Sequence, residues 1–101
     1  MLRAGDRVGR HGQAVFARID GEVVALDAAK GECYGLDPIG SKIWDLIDPP
    51  TLIAHVCERL VQIYNVDPAT CEAQVIALME ELSAEGLLAV FPPEHADRSG
   101  S

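Results

Sequence analysis

Alternating polar and apolar residues follow a polar, glycine-rich start and predict a run of short strands. Residues 14–19 alternate in this way, and Asp20-Gly21 follows with the dipeptide that accepts the positive φ angles of a type I′ hairpin turn. Residues 22–26 predict the return strand because β-branched residues lie at their centre. After a second turn, residues 32–36 predict a third strand. Short turns predict an antiparallel meander, with the third strand at an edge.

Helical periodicity replaces this alternation at residues 37–38, Asp followed by Pro, which cap and start a helix. That helix is expected to end at residues 48–50 because prolines stop it. A second helix is expected over residues 51–64. A third is expected over residues 67–85, with Gly86 as its C-cap. The apolar positions expected to share a face are Ile39, Ile43, Leu46 and Ile47, with Trp44 beside them, in the first helix and Leu52, Val56, Leu60 and Ile63 in the second.

Three strands followed by three helices predict an α+β fold. The chain has 101 residues, 49% of them hydrophobic, which suffices for one buried core and not for two. We therefore expect a single domain over residues 1–91 and a flexible polar tail over residues 92–101.

The charge distribution argues against nucleic acid as a partner. Eight basic residues stand against sixteen acidic ones, giving a net charge of -8, and no Lys or Arg lies between Arg59 and Arg98. A recognition helix of that composition would repel phosphates. No apolar run reaches the roughly 18 residues of a membrane span, and the first residues lack the pattern of a signal peptide. We therefore expect a cytoplasmic protein that contacts neither nucleic acid nor membrane.

Residues that would support catalysis or metal binding are scattered. The chain has no GxSxG, GxxxxGK or HExxH motif. His55 and Cys57 are two positions apart on a predicted helix, so their side chains diverge by about 160°. The three cysteines, Cys33, Cys57 and Cys71, form no close pair, so neither a disulfide framework nor a zinc site is expected. The sequence predicts no enzyme activity and no cofactor.

The third predicted helix has an apolar face that is wider on one side. Cys71, Val75, Leu78 and Leu82 cluster within about 60° and form the expected core stripe. Met79 lies roughly 60° from the centre of that stripe and Ile76 roughly 120° from it. Either these two residues reach another part of the core, or they line a groove rimmed by Glu72, Glu80 and Ser83. In a groove, glutamate at Ile76 or Met79 would weaken ligand binding without unfolding the domain.

The third predicted strand has little protection against pairing with another chain. Edge strands are normally blunted by Lys, Pro or a bulge, whereas residues 32–36 carry only Glu32 at their start. A short edge can tolerate exposure, and the N-terminal arm could also cover it. The remaining alternative is an edge kept open for strand addition by an extended peptide.

Two stretches resemble a known family. The first reads YGLDP over residues 34–38 and is followed by Ile43-Trp44, and the second reads LMEELSAEGLL over residues 78–88. In these residues the chain resembles the PqqD-like recognition elements that bind precursors of ribosomally synthesised, post-translationally modified peptides (RiPPs). The resemblance extends over residues 15–91. The YGLDP version is most similar to the stand-alone members of lasso peptide biosynthesis.

The resemblance implies a winged-helix-like fold whose ligand is the leader segment of a precursor peptide. In the family the leader adds as a strand beside the third strand and lies against the third helix. It is then presented to a processing protease of the cysteine-protease type or to another modifying enzyme. The expected function is therefore a non-catalytic peptide-binding adaptor, and the alternative is a docking or dimerisation module that uses the same surface. The peptide-binding residues expected on this basis are Glu32, Cys33, Tyr34, Gly35 and Leu36 on the strand and Glu72, Val75, Ile76, Met79, Glu80 and Ser83 on the helix.

Overall fold

The computed structural model describes residues 2–12, 14–27 and 30–91, in six strands and three helices. The predicted tail, residues 92–101, lies outside the described residues. The α+β class is confirmed. The elements in chain order are β1 (Arg7–Arg10), β2 (Val15–Ile19), β3 (Glu22–Asp27), β4 (Glu32–Gly35), α1 (Pro38–Leu46), β5 (Thr51–Leu52), α2 (Ile53–Tyr64), α3 (Pro68–Ala84) and β6 (Leu88–Phe91).

The predicted meander forms one sheet, in the order β2-β3-β4. Asp20 and Gly21 take φ angles of 53° and 84°, as a type I′ turn between β2 and β3 requires. Val23 and Ala25 of the central strand are fully buried. This sheet therefore covers the helices with one face, and β4 lies at its edge as predicted.

Both Asp-Pro signals start helices. The Asp37 carboxylate accepts a hydrogen bond from the Gly40 N–H at 2.7 Å, and Asp67 accepts one from the Thr70 N–H at 3.0 Å. The second helix starts later than predicted, at Ile53, because the two residues before it form β5. Of the described helices, none is long and apolar enough to cross a membrane.

The periodicity did not predict a second sheet, in the order β5-β1-β6. Its central strand, β1, reads RVGR, which has too few apolar residues to show alternation. It pairs with β6 from Arg7 opposite Phe91 to Arg10 opposite Leu88. The N-terminal arm is held in this second sheet, so the alternative in which it covers β4 is wrong for the described residues.

Arg10 joins the second sheet to the first helix. Its guanidinium lies 4.6 Å from the centre of the Phe16 ring and 5.3 Å from that of Trp44. Its Nε donates to the Trp44 carbonyl at 3.1 Å, and the guanidinium pairs with Asp48 at 3.3 Å. These contacts attach β1 to the fully buried Trp44 at the centre of the core.

Two predicted core positions are exposed instead. Ile39 is 46% exposed and Ile63 is 43% exposed, whereas Ile43, Trp44 and Ile47 are buried as predicted. Ile39 lies in the first turn of α1.

Candidate functional site

The free edge of β4 is the starting point of the site. In the described ranges, β4 pairs with β3 on one side and with no strand on the other. Cys33 and Gly35 are exposed there, and only Glu32, at the start of the strand, guards them. An edge of this kind is a template for another strand.

The hydrogen-bond pattern shows which backbone groups of β4 are available. The Leu36 N–H donates to the Val23 carbonyl at 2.8 Å. Because backbone groups alternate in direction along a strand, Tyr34 also directs its N–H and C=O toward β3. Cys33 and Gly35 therefore direct theirs outward. The edge offers two donors and two acceptors in the spacing of a sheet.

Ser41 fixes the end of β4 to α1. Its buried hydroxyl accepts a hydrogen bond from the Val23 N–H at 2.8 Å and donates to the Leu36 carbonyl at 3.3 Å. The hydroxyl thus bridges the Val23 N–H of β3 and the Leu36 carbonyl at the end of β4, in place of a direct hydrogen bond between them. This arrangement holds the strand end against the helix start that follows it.

Tyr34 shows which side of α3 faces β4. Its hydroxyl donates a hydrogen bond of 2.5 Å to the Glu81 carboxylate. By helix geometry, residues 74, 78, 81 and 85 lie within about 60° of one another. We call these residues, Gln74, Leu78, Glu81 and Glu85, the near flank of α3.

An apolar pocket of about 430 Å³ continues the site beyond the end of β4. Leu78 and Gln74 of the near flank form one wall, and the first turn of α1 forms another. The exposed Ile39 lies in the wall formed by α1. Tyr64, at the end of α2, also lines the pocket. The pocket is lined by Asp37, Ile39, Gly40, Ile43, Leu60, Tyr64, Val66, Thr70, Cys71, Gln74, Val75 and Leu78.

The helix residues expected beside β4 lie elsewhere. Glu80 accepts a hydrogen bond from the Leu2 N–H at 3.2 Å, and Glu72 lines a depression with α2. With Ile76 and Ser83 they form a far flank, roughly 170° around the helix from the near flank. The prediction that Glu72, Ile76, Glu80 and Ser83 face β4 is therefore wrong.

Met79 and Val75 are core residues. Met79 is 0% exposed and Val75 2% exposed, whereas Leu78, expected in the core stripe, is only half-buried at the pocket. The buried stripe of α3 is thus centred about 25° from the predicted one. The expectation that Met79 lines an open groove is wrong. The sequence also gave no sign of Glu81, because an acidic residue on a helix more often indicates a solvated face.

The hydroxyl of Tyr34 is stabilised in its protonated form. The hydrogen bond to Glu81, with burial and the charges of Glu81 and Glu85, raises the pKa of Tyr34 from 10.0 to about 12. A raised pKa of this kind favours folding while the group stays protonated in both states. The contribution is complete below pH 10 and is lost as the pH rises through about 12.

We therefore expect Tyr34→Phe to lower the free energy of unfolding below pH 10, because Phe cannot donate to Glu81. The difference from the native chain should shrink between pH 10 and pH 12. Urea denaturation across that range measures it. Tyr64→Phe, at the other tyrosine, is the control. A constant difference across the window would contradict the role of the hydrogen bond.

The cysteines do not form a chemical site. Cys57 and Cys71 are buried between α2 and α3, and burial raises the pKa of the Cys57 thiol to about 11. Burial also raises the pKa of Cys71. Cys33 is exposed on β4. Among the described residues, no group of three or more His, Cys, Asp or Glu side chains could hold a metal ion.

Comparison with known proteins finds a family model that covers the candidate site. The family model for coenzyme PQQ synthesis protein D (PqqD) matches residues 22–88, from β3 to the start of β6. The chain is 29% identical to TbiB1, whose structure is in complex with the TbiA(beta) leader peptide. That match covers 84% of this chain and 99% of TbiB1, with a TM-score of 0.76.

A second solved structure shares the fold. It is the solution NMR structure of the PqqD truncation of Methylobacterium extorquens PqqCD, described as a functional and stand-alone RiPP recognition element. The identity is 19%, the coverage is 88% of this chain and 95% of that one, and the TM-score is 0.75. No curated protein sequence matches the chain significantly.

Proposed function

Since its family model matches residues 22–88, the chain belongs to the PqqD family, and we propose that it is a non-catalytic adaptor for a precursor peptide. The adaptor captures the leader segment by strand addition to β4 and presents it to a processing enzyme. We place it in the cytoplasm, where the precursor is made. The similarity to TbiB1, a leader-binding protein, supports a lasso peptide precursor.

The observation that carries this proposal is the outward direction of the Cys33 and Gly35 backbone beside the near flank of α3. A peptide strand at this edge gains up to four hydrogen bonds in a ladder. Its side chains on the inner face then point toward Tyr34 and Glu81. The exposed edge and the helix thus form the two sides of one groove.

The apolar pocket supplies the anchor. Its volume of about 430 Å³ accepts a large side chain, and Ile39 and Leu78 present apolar atoms to it. The family resemblance implies a leader that presents a Tyr and a Pro to an apolar pocket. We assign that role to the pocket at the end of β4.

A fluorescence-anisotropy titration tests the function. The probe is a labelled leader peptide from the precursor gene expected beside the gene of this chain, and duplex DNA is the control. We expect saturable binding at micromolar or tighter concentrations and no response to DNA. Absence of leader binding would overturn the proposal and favour a docking or dimerisation module instead.

Hydrogen exchange on the same complex tests the position of the peptide. The Cys33 and Gly35 amides face outward, so they should exchange quickly in the free chain and slowly with the leader bound. The Tyr34 and Leu36 amides already bond to β3 and should change little. Protection confined to the far flank of α3 would contradict binding at β4.

The outer face of the β2-β3-β4 sheet fits the processing enzyme. Val23 and Ala25 point into the core, so their neighbours Val24 and Leu26 point outward, and the register aligns apolar residues of β2 and β4 with them. Among the described outward positions of the three strands, Glu22 is the only charged residue. The outward positions are Val15, Ala17, Ile19, Glu22, Val24, Leu26, Cys33 and Gly35.

We assign this face to the enzyme because it continues into the peptide site through β4. A captured leader extends the sheet and adds its own outward side chains to the same face. Gly35 has no positive φ, and a Cβ there would meet nothing within 4 Å, so the fold of the free chain does not require glycine. Glycine in a strand suits the close approach of another backbone.

We expect Ile19→Glu to impair processing of the leader while leaving its affinity for this chain unchanged. Ile19 is 58% exposed on β2, and both β3 and β4 lie between β2 and the proposed peptide. The assay compares leader binding with cleavage by the processing peptidase that the family resemblance implies. Ile63→Glu is the control, because Ile63 is 43% exposed on α2, away from this face. Equal loss in both variants would contradict the assignment.

A further inference from the structure

The proposed peptide site has two chemically different ends. At the end of β4, the apolar pocket lies between Ile39 and Leu78. Toward the start of β4, Tyr34 is bonded to Glu81, and the charge of Glu85 also acts on its hydroxyl. The site thus changes from apolar to acidic along its length.

The order of contacts shows that α3 runs antiparallel to β4. The pocket just beyond β4 contains Gln74 and Leu78, whereas Tyr34, within the strand, contacts the later residue Glu81. The acidic end therefore combines Glu81 and Glu85 with Glu32 at the start of the strand. Lys30, in the preceding turn, is the nearest basic residue along the sequence and leaves this end net negative.

We infer that this groove selects a leader with a large apolar side chain at one end and a basic side chain about four residues away, in a fixed order; the inference rests on the proposed function. Residues 78 and 85 are separated by roughly 10 Å along the helix axis. The pocket extends beyond Leu78 to the first turn of α1. Strand residues about four apart lie on the same face and are separated by roughly 13 Å. A Lys or Arg side chain is long enough to reach from the peptide strand to the carboxylates of the acidic end.

The order follows from strand direction. Antiparallel pairing is the commoner arrangement, and a peptide antiparallel to β4 enters at the pocket and leaves at the acidic end. The apolar anchor then precedes the basic residue in the leader. Opposite order would place the basic side chain in the apolar pocket against Ile39 and Leu78, where Asp37 is the one acidic residue of the lining and already caps the Gly40 N–H.

The test is a charge scan of the leader peptide used above, with Lys and then Glu placed at each position in turn. We expect one position after the apolar anchor at which Glu binds roughly tenfold more weakly than Lys, with the difference reduced at high salt. Glu85→Lys should reduce that preference severalfold, because it removes one carboxylate of the acidic end and adds a positive charge. Glu72→Lys on the far flank changes the net charge equally and should not.

The outcomes separate this inference from the proposed function. No binding of the unmodified leader would overturn the adaptor function itself. Saturable binding with the same Lys-to-Glu difference at every position would overturn only the charge selection, since it would reflect the net charge of -8. Equal effects of Glu85→Lys and Glu72→Lys would overturn it as well.

Discussion

Proline in place of Cys33 should weaken leader binding at least about tenfold while the domain stays folded. The Cys33 N–H points to the free edge, so proline removes a donor that only the peptide uses. One such hydrogen bond is worth about 1 kcal/mol, and the ring adds a steric clash with the incoming strand. The comparison requires a leader titration and a urea denaturation of the same variant.

Proline in place of Tyr34 is the matched variant and should act on the fold. The Tyr34 N–H points toward β3, so its loss opens the ladder between the two strands. The hydrogen bond to Glu81 is lost as well. We expect the free energy of unfolding to fall by about 2 kcal/mol or more. If Cys33→Pro unfolds the domain and Tyr34→Pro does not, the assigned register is wrong by one residue.

Glutamate in place of Met79 should unfold a large fraction of the protein. Met79 is 0% exposed and belongs to a cluster of buried apolar residues. Removing the apolar side chain alone lowers the free energy of unfolding by about 2 to 5 kcal/mol, and burying a carboxylate lowers it further. A domain of this size has only about 5 to 15 kcal/mol in total. Circular dichroism during thermal unfolding measures the loss.

Ala77→Glu is the control for Met79→Glu, since it adds the same charge to the exposed side of the same helix. We expect its midpoint of unfolding to stay within a few degrees of the native chain. The sequence pattern, with Met79 in an open groove, predicts a folded Met79→Glu variant with weak leader binding. A cooperative, fully folded Met79→Glu protein would support that arrangement against the structure.

Local chemistry made several elements predictable. Asp37 and Asp67 each precede a proline, and such a pair caps a helix with few contacts from elsewhere in the chain. Asp20-Gly21 fixes a tight turn in the same local way, since it tolerates positive φ angles. The α+β class follows from where alternation gives way to helical periodicity.

Elements stabilised by distant partners were not predictable in this way. β1 has one buried side chain, Val8, and exists because β5 and β6 supply hydrogen bonds on both sides. The first residues of the predicted second helix became a strand for the same reason. A stretch of two to four residues carries too few positions for its own periodicity to indicate a strand.

The candidate site also has a part that local sequence predicts and a part that depends on distant contacts. The sequence by itself determined the exposed edge strand and the helix that accompanies it, because it can be read from β4 itself that the strand has no proline and no charge beyond Glu32 at its start. Only the tertiary structure decided which flank of that helix faces the strand. A helix wheel orders residues around an axis, but its rotation depends on what packs against it, and the buried stripe through Met79 turns Glu81 toward Tyr34. Likewise, the pocket exists only where three helices meet, so no single segment could indicate it.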